Sequence, residues 1–587
     1  FGGSKSDAAT ITWTNTPGGN WSVAANWSPN VVPGQLNVLN STDDVLITNA
    51  GTYTVVLDEG TSPNFWDIRS LTLGAGGGHG VQTLAVTNKI FYVAPMTITN
   101  GGVLTDNDSS FHAVITLASG GQVQSTNGTY FVNPFIVGSG GTFTTRGSTL
   151  VESGGSLEVN GGLNIVSGSL TLDAPATNSG IITVNSGAGL ALDNIVALNG
   201  PLTNSGTLTV EGGGGAISIL NNHAGQLGGI VNVSGGIIAL NNGNGITGGN
   251  NYEYLINQGT VNSTGGGHIQ SVPGFTNSGV INVSTSTLNL DSGLHLQSSG
   301  SVNVQLNNAG DYGKIVILGN AALNGAFNVT LGNGYNPANG DAFQPVAYGS
   351  HSGSFTATNL PALVPWQMTY DSSAVRLQVV TQTITWTNTA GGNWSNPNNW
   401  SPNIVPGGGT YGNEDDVQII APGTYTVVMD EGVVSSPYYL HGLTLGAGNG
   451  NGIQTLVVSN TWPDAASLSV NAGGQVDSSG NHWFNNWVTP LIIASGGVFN
   501  STNDLFDQHV TVNRGGVFTA VNSTNGNGWF TIGGALNIPA GVLTLNGGTT
   551  NFGTITIGNG GGMSVNDNLV LSDAGSIMNR VGGAIDL

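Results

Sequence analysis

The chain has 587 residues, with 96 Gly, no Cys and only 6% charged side chains. Eight Lys and Arg stand against 30 Asp and Glu, and the net charge of −22 excludes nucleic acid, which needs a basic stripe, and argues against anionic membrane surfaces. Zero Cys excludes a disulfide scaffold and thiolate metal sites, and a hydrophobic content of 38%, mostly Val, Leu and Ile between Asn, Ser, Thr and Gly, excludes a disordered chain.

The first nine residues, "FGGSKSDAA", read as a flexible arm over 1–9. No signal peptide is visible and no run of about 18 apolar residues could span a membrane, so the expectation is a removed leader or a fragment, without membrane insertion. The cysteine-free, weakly charged composition suggests an exported bacterial protein.

A cap module follows over 10–70. Its opening, "ITWTNTPGGNWSVAANWSP" at 11–29, returns as "ITWTNTAGGNWSNPNNWSP" at 384–402. "TYTVVLDEG" at 52–60 returns as "TYTVVMDEG" at 424–432, and "LTLGAGGGHGVQTLAVTN" at 71–88 as "LTLGAGNGNGIQTLVVSN" at 443–460. The tryptophan blocks are offset by 373 residues and the later blocks by 372, so one residue is lost in the second copy between Trp400 and Asp415. Two readings are open for Trp13, Trp21, Trp27 and their copies Trp386, Trp394, Trp400. They form the small core of a cap that covers the first coil of a solenoid, or they present aromatic faces to sugar rings. The first is favoured, because three exposed Trp in one short segment would make it sticky. Each module also carries two acidic pairs, Asp43, Asp44 with Asp58, Glu59, and Asp415, Asp416 with Asp430, Glu431. Paired carboxylates suit Ca²⁺, although no EF-hand or glycine-rich nonapeptide array accompanies them, and aspartates in turns also bond local backbone N–H groups.

Over 71–310 a finer repeat appears: "TNSGIITV" at 177, "TNSGTLTV" at 203, "TNSGVINV" at 276, with "NFGTITI" at 551 in the second half. Its anchors Gly180, Gly206, Gly229, Gly259, Gly279 and Gly300 fall 20–30 residues apart, the length of one coil of a parallel β-solenoid. Alternation places Val, Leu and Ile inside and Thr, Ser and Asn outside, Gly and Asn take corners at positive φ, and stacked Asn at equivalent corners bond along the axis. No segment sustains a helical period. Over 311–380 the short coil pattern stops, Pro337, Pro361 and Pro365 interrupt, and aromatics gather around Trp366, which reads as a β-rich closing cap. A second cap module (381–442) and a second, open-ended solenoid (443–587) complete the order. The expected fold is therefore all-β, a right-handed parallel β-solenoid in two tandem units with β-rich, tryptophan-containing caps. Asn-x-Ser/Thr sequons occur at Asn26, Asn40, Asn232 and Asn282, and alternation is read as turning Asn232 and Asn282 to solvent.

The "GNWSxxxNWSP…DDVxI…GTYTV" opening and the "LNGAFNVTLGNGYNPANGDAFQPVAY…SGSF" closing stretch resemble modules of large secreted bacterial surface proteins with autotransporter-like or filamentous-haemagglutinin-like β-helices. The resemblance implies a cell-surface or extracellular adhesin, matrix component or fibre. Two departures are visible: no C-terminal membrane barrel, and no closing segment after the second solenoid.

An uncapped solenoid end and a strand-donating arm point to head-to-tail association with further copies of the chain, a non-enzymatic filament subunit. The alternative is a surface adhesin or a carbohydrate-binding β-helix protein with a surface polysaccharide as partner. A polysaccharide-degrading enzyme is disfavoured. The five Arg and three Lys are scattered, and Glu152, Glu158, Asp173, Asp193, Glu211, Glu253 and Asp291 show no repeated pairing of the kind two-carboxylate hydrolysis needs. No catalytic residue and no cofactor other than Ca²⁺ is expected.

Overall fold

The computed structural model describes residues 9–586 apart from 37–40, 59–64, 212–215, 221–227, 242, 244, 250–252, 333, 339, 362–363, 408–414, 431–437, 460–462, 466, 481, 484–490, 508, 527, 573–574 and 580–581. The arm expected over 1–9 lies outside the described residues except for Ala9. Among the described residues, two 3-10 turns, Ala24–Asn26 and Pro397–Asn399, are the helical structure, and no helix is long and apolar enough to cross a membrane.

Each coil contributes short strands, and each strand lies parallel to its counterpart one coil on. On one face Thr10–Trp13 pairs with Asp44–Ile47, and Asp44–Ile47 with Ser70–Leu73. On a second, Tyr53–Val56, Gln82–Thr87, Gly102–Asn107 and Gln122–Ser125 follow in register. On a third, Phe65–Ile68 leads to Ile90–Ile98 and Ser110–Leu117. This is a parallel β-solenoid. The sequence folds this way because its strands alternate. In Thr207–Val210, Leu208 and Val210 point into the core while both Thr face outward, and the same pattern repeats coil after coil.

The chain divides into two compact units. The first comprises Phe1–Tyr335, Phe343–Pro361 and Met368–Leu377, and the second Asn336–Ala342, Ala362–Gln367 and Gln378–Leu587. In the first, the parallel ladder runs on through the stretch expected to close it. Ser301–Leu306 aligns with Ala326–Leu331, which aligns with Ala357–Asn359, and Lys314–Leu323 pairs with Ala342–Gly353. In the second, the ladders start at Gln382–Trp386 and Gly392–Asn393 and end at Leu569–Leu571, Ser576–Asn579 and Ala584–Asp586. One continuous apolar core runs from Ile384 to Val565.

The anchor glycines have a different physical reason from the one expected. Gly180 and Gly279 do not have positive φ. Instead, a Cβ on either would stand 2.0 Å from a carbonyl oxygen of the preceding coil, Gly161 O and Gly259 O. Glycine is required there because the corners of successive coils stack backbone on backbone.

The asparagine of the same motif faces inward. Asn204 donates to Asn232 (2.8 Å), Asn232 to Asn257 (2.7 Å) and Asn257 to Asn277 (2.5 Å), a fully buried ladder along the axis. The expected axial bonding is present, but Asn232 is not turned to solvent. Ile230 and Asn232 share the inner phase, and the register with Leu202 and Asn204 fixes it. Asn282 does face outward and belongs to a second ladder, Asn359 to Asn328 to Asn303 to Asn282 to Asn262, at 2.6–2.8 Å. Amide groups suit both rows, because each can donate to one neighbour and accept from the other at the rung spacing.

Candidate functional site

The repeated tryptophans are core residues. Trp13, Trp21, Trp27, Trp386, Trp394 and Trp400 are all 0–1% exposed. Trp27 meets Trp13 edge-to-face at 4.9 Å and Trp21 at 4.8 Å; Trp400 meets Trp386 at 4.8 Å and Trp394 at 4.7 Å. Every indole N–H is satisfied by a backbone carbonyl: Trp13 by Asn15, Trp21 by Pro33, Trp27 by Trp21, and in the second copy Trp386 by Asn388, Trp394 by Pro406, Trp400 by Trp394. Such rings have no face free to stack on a sugar, which removes the sugar-platform reading for these six. The strands that carry Trp13 and Trp386 are themselves rungs of the parallel ladders, paired with Asp44–Ile47 and Asp415–Ile419.

The module aspartates are held by the chain itself. Asp43 accepts from the Gly34 N–H (2.8 Å), and its equivalent Asp415 from the Gly407 N–H (2.9 Å). Burial, with Asp416 alongside, pushes Asp415 up from the ordinary carboxylate value. Asp44 takes a two-point bond from the Arg69 guanidinium and one from the Ser70 hydroxyl, and the Arg69 bond holds it below the usual range. Asp416 instead pairs with His441 Nδ1 at 2.8 Å. Asp58 ties back to the tryptophan segment through the Ser22 N–H (3.0 Å) and hydroxyl (2.6 Å), and Asp430 does the same through Ser395 (2.9 and 2.7 Å). Burial raises both carboxyls, but the hydrogen bonds outweigh it and the net shift is downward. Glu59 and Glu431 lie outside the described residues. Among the described residues no three His, Asp or Glu side chains converge as metal ligands.

Two features escaped the sequence reading. First, the coil acids are in register. Glu152, Asp173, Asp193 and Glu211 each follow directly on a strand of the same ladder, and each backbone N–H bonds the carbonyl one coil back: Phe131, Val151, Leu172 and Leu192. The signal was in the sequence as "TLVE", "LTLD", "LALD" and "LTVE", hidden because the intervals drift from 21 to 18 residues. Asp173 is pushed up by burial, by its hydrogen bond with Asp193, and by the charges of Asp193 and Glu152. Beside it, Tyr130, Leu150, Thr171, Asp173 and Asp193 line a groove of about 380 Å³.

Second, the most exposed large apolar side chain among the described residues is Trp529, at 67%. With His509, Thr511 and Thr531 it lines a surface groove of about 490 Å³.

No protein-family model matches the chain, and no curated protein matches it in sequence. Among solved structures it is similar to the TibC-catalysed hyper-glycosylated TibA fragment, with 14% identity over 86% of this chain and 99% of that one, at a TM-score of 0.15. A superposition that loose leaves the architecture resting on this chain's own ladders.

Proposed function

We propose that the chain is a non-enzymatic structural protein of the bacterial cell surface or its surroundings, a β-solenoid subunit that stacks end to end on further copies of itself. The observation that carries this reading is the parallel ladder within each unit, reinforced over part of the first unit by two rows of asparagine amides. Such a body gains one full set of interstrand bonds per coil and has additive, local stability, which suits a load-bearing spacer.

Exposed apolar side chains on strands of the second unit support the assembly part of the reading: Leu571 is 50% exposed, Met578 54% and Ile585 37%. An exposed apolar strand is a template for pairing with a further copy.

Sedimentation velocity across a wide concentration range tests it. The expected result is concentration-dependent growth that Leu571→Lys suppresses without changing the melting temperature. A single monomeric boundary at every concentration contradicts self-assembly. Running the series with and without EDTA asks in addition whether calcium acts at Asp43, Asp44, Asp415 or Asp416.

A further inference from the structure

Trp529 lies on the surface of the second unit. The six repeated tryptophans are sealed in the core with satisfied N–H groups, whereas Trp529 leaves two thirds of its surface to solvent. Single exposed apolar residues are ordinary on protein surfaces, so exposure alone decides nothing. What distinguishes Trp529 is the set of groups around it.

Thr511 and Thr531 are direct ladder partners on neighbouring coils, so their outward hydroxyls stand one rung apart, about 4.8 Å. His509 is fixed by its neighbour: the backbone N–H of Trp529 donates to His509 Nδ1 at 2.7 Å. Nδ1 is therefore the acceptor, and the neutral imidazole carries its proton on Nε2, which makes Nε2 a donor. The imidazole meets the indole edge-on, with centroids 6.2 Å apart. The groove of about 490 Å³ thus combines one aromatic face, two hydroxyls at rung spacing and one imidazole. The Thr511–Thr531 row continues into Thr550 on the next coil, so the polar strip extends along the ladder.

We propose that this groove binds an uncharged polysaccharide through a pyranose ring laid on Trp529, with ring hydroxyls bonded to Thr511, Thr531 and His509. A pyranose has an apolar C–H face and a rim of hydroxyls that both donate and accept, which matches an indole bordered by polar groups better than it matches an apolar peptide side chain. Charge selects among glycans. Among the described residues the groove lining includes no acid and no permanent cation, and the chain as a whole carries −22, which repels acidic polysaccharides. The site is independent of end-to-end assembly, so either proposal can fail alone.

The test uses the full chain with cellohexaose, maltohexaose and laminarihexaose as neutral probes and an alginate hexamer as the acidic one. Binding is read by tryptophan fluorescence and by isothermal titration calorimetry. At least one neutral hexaose is expected to bind, and Trp529→Ala to weaken it about tenfold or more. Thr511→Val with Thr531→Val should weaken it by a smaller factor, and Trp529→Phe should retain part of the affinity. Circular dichroism and melting of Trp529→Ala should match the parent, since the side chain is exposed. Failure of all three neutral probes, equal binding by Trp529→Ala, or tighter binding of the alginate hexamer overturns the proposal.

Discussion

The two copies of the tryptophan module agree in what they bury and differ in what they expose. The indole triads keep their edge-to-face contacts within 0.1 Å of one another, and the Ser22–Asp58 tie is reproduced by Ser395–Asp430. At the surface, the guanidinium–carboxylate pair Arg69–Asp44 is replaced by the imidazole–carboxylate pair His441–Asp416. Beyond the modules both interiors stack phenylalanines, Phe111 on Phe131 at 5.7 Å in the first unit and Phe499 on Phe518 at 5.4 Å in the second. The first unit then goes over to an amide ladder through Asn204, Asn232, Asn257 and Asn277. A solenoid coil therefore accepts aromatic or amide filling, provided that each rung matches the next. The tryptophan corner is the part held constant.

The largest effect should come from that corner. Trp27→Ala and Trp400→Ala each remove a buried indole that touches two others, at a cost of about 3–5 kcal/mol. Because stability in a solenoid is local, calorimetry should show each substitution lowering the transition of its own unit and sparing the other. Equal effects on one shared transition would break the comparison. Next comes Asn232→Ala in the amide ladder. It deletes two inter-rung bonds and strands the facing groups of Asn204 and Asn257, for about 2–4 kcal/mol, whereas the outward Asn282→Ala should cost well under half as much.

Asp106 sharpens the contrast between buried amides and a buried acid. Its side chain is in the core, where Thr129 donates to one carboxyl oxygen. Burial raises its pKa from 3.8 to about 6. The folded state therefore holds the proton more tightly than the unfolded chain. The stability this lends is complete below 3.8 and is lost as the pH rises through about 6. Asp106→Asn should remove that dependence and raise stability at neutral pH by roughly 2–3 kcal/mol, read from denaturant melts at pH 4 and pH 7.5. The smallest effect is at the surface acid row. Asp193→Asn relieves repulsion with Asp173 and, after solvent screening, should stabilise by about a few tenths of a kcal/mol at low salt and by nothing measurable at high salt.

Much of this was legible in the sequence. Alternation and recurring Asn-x-Gly corners gave the parallel solenoid, and the long duplication located the paired tryptophan segments. The phase of Asn232 was not legible. "GIVNV" has apolar residues on both phases, and only pairing with Asn204 one coil away decides which side is buried. The anchor glycines were visible, but their reason, a close carbonyl from the previous coil at Gly180 and Gly279, is a tertiary contact that no local rule reports. The acid row was masked by drifting coil length. Trp529 was missed because it is not repeated, and repetition was the signal that drew attention to the other tryptophans.

Cryo-electron microscopy of the concentrated chain is the most direct test of end-to-end stacking. Fibres with a layer line at about 4.8 Å along the fibre axis are the predicted result, since coils would then continue from one copy into the next. Discrete particles at every concentration, or fibres whose 4.8 Å spacing runs across the axis, would contradict it.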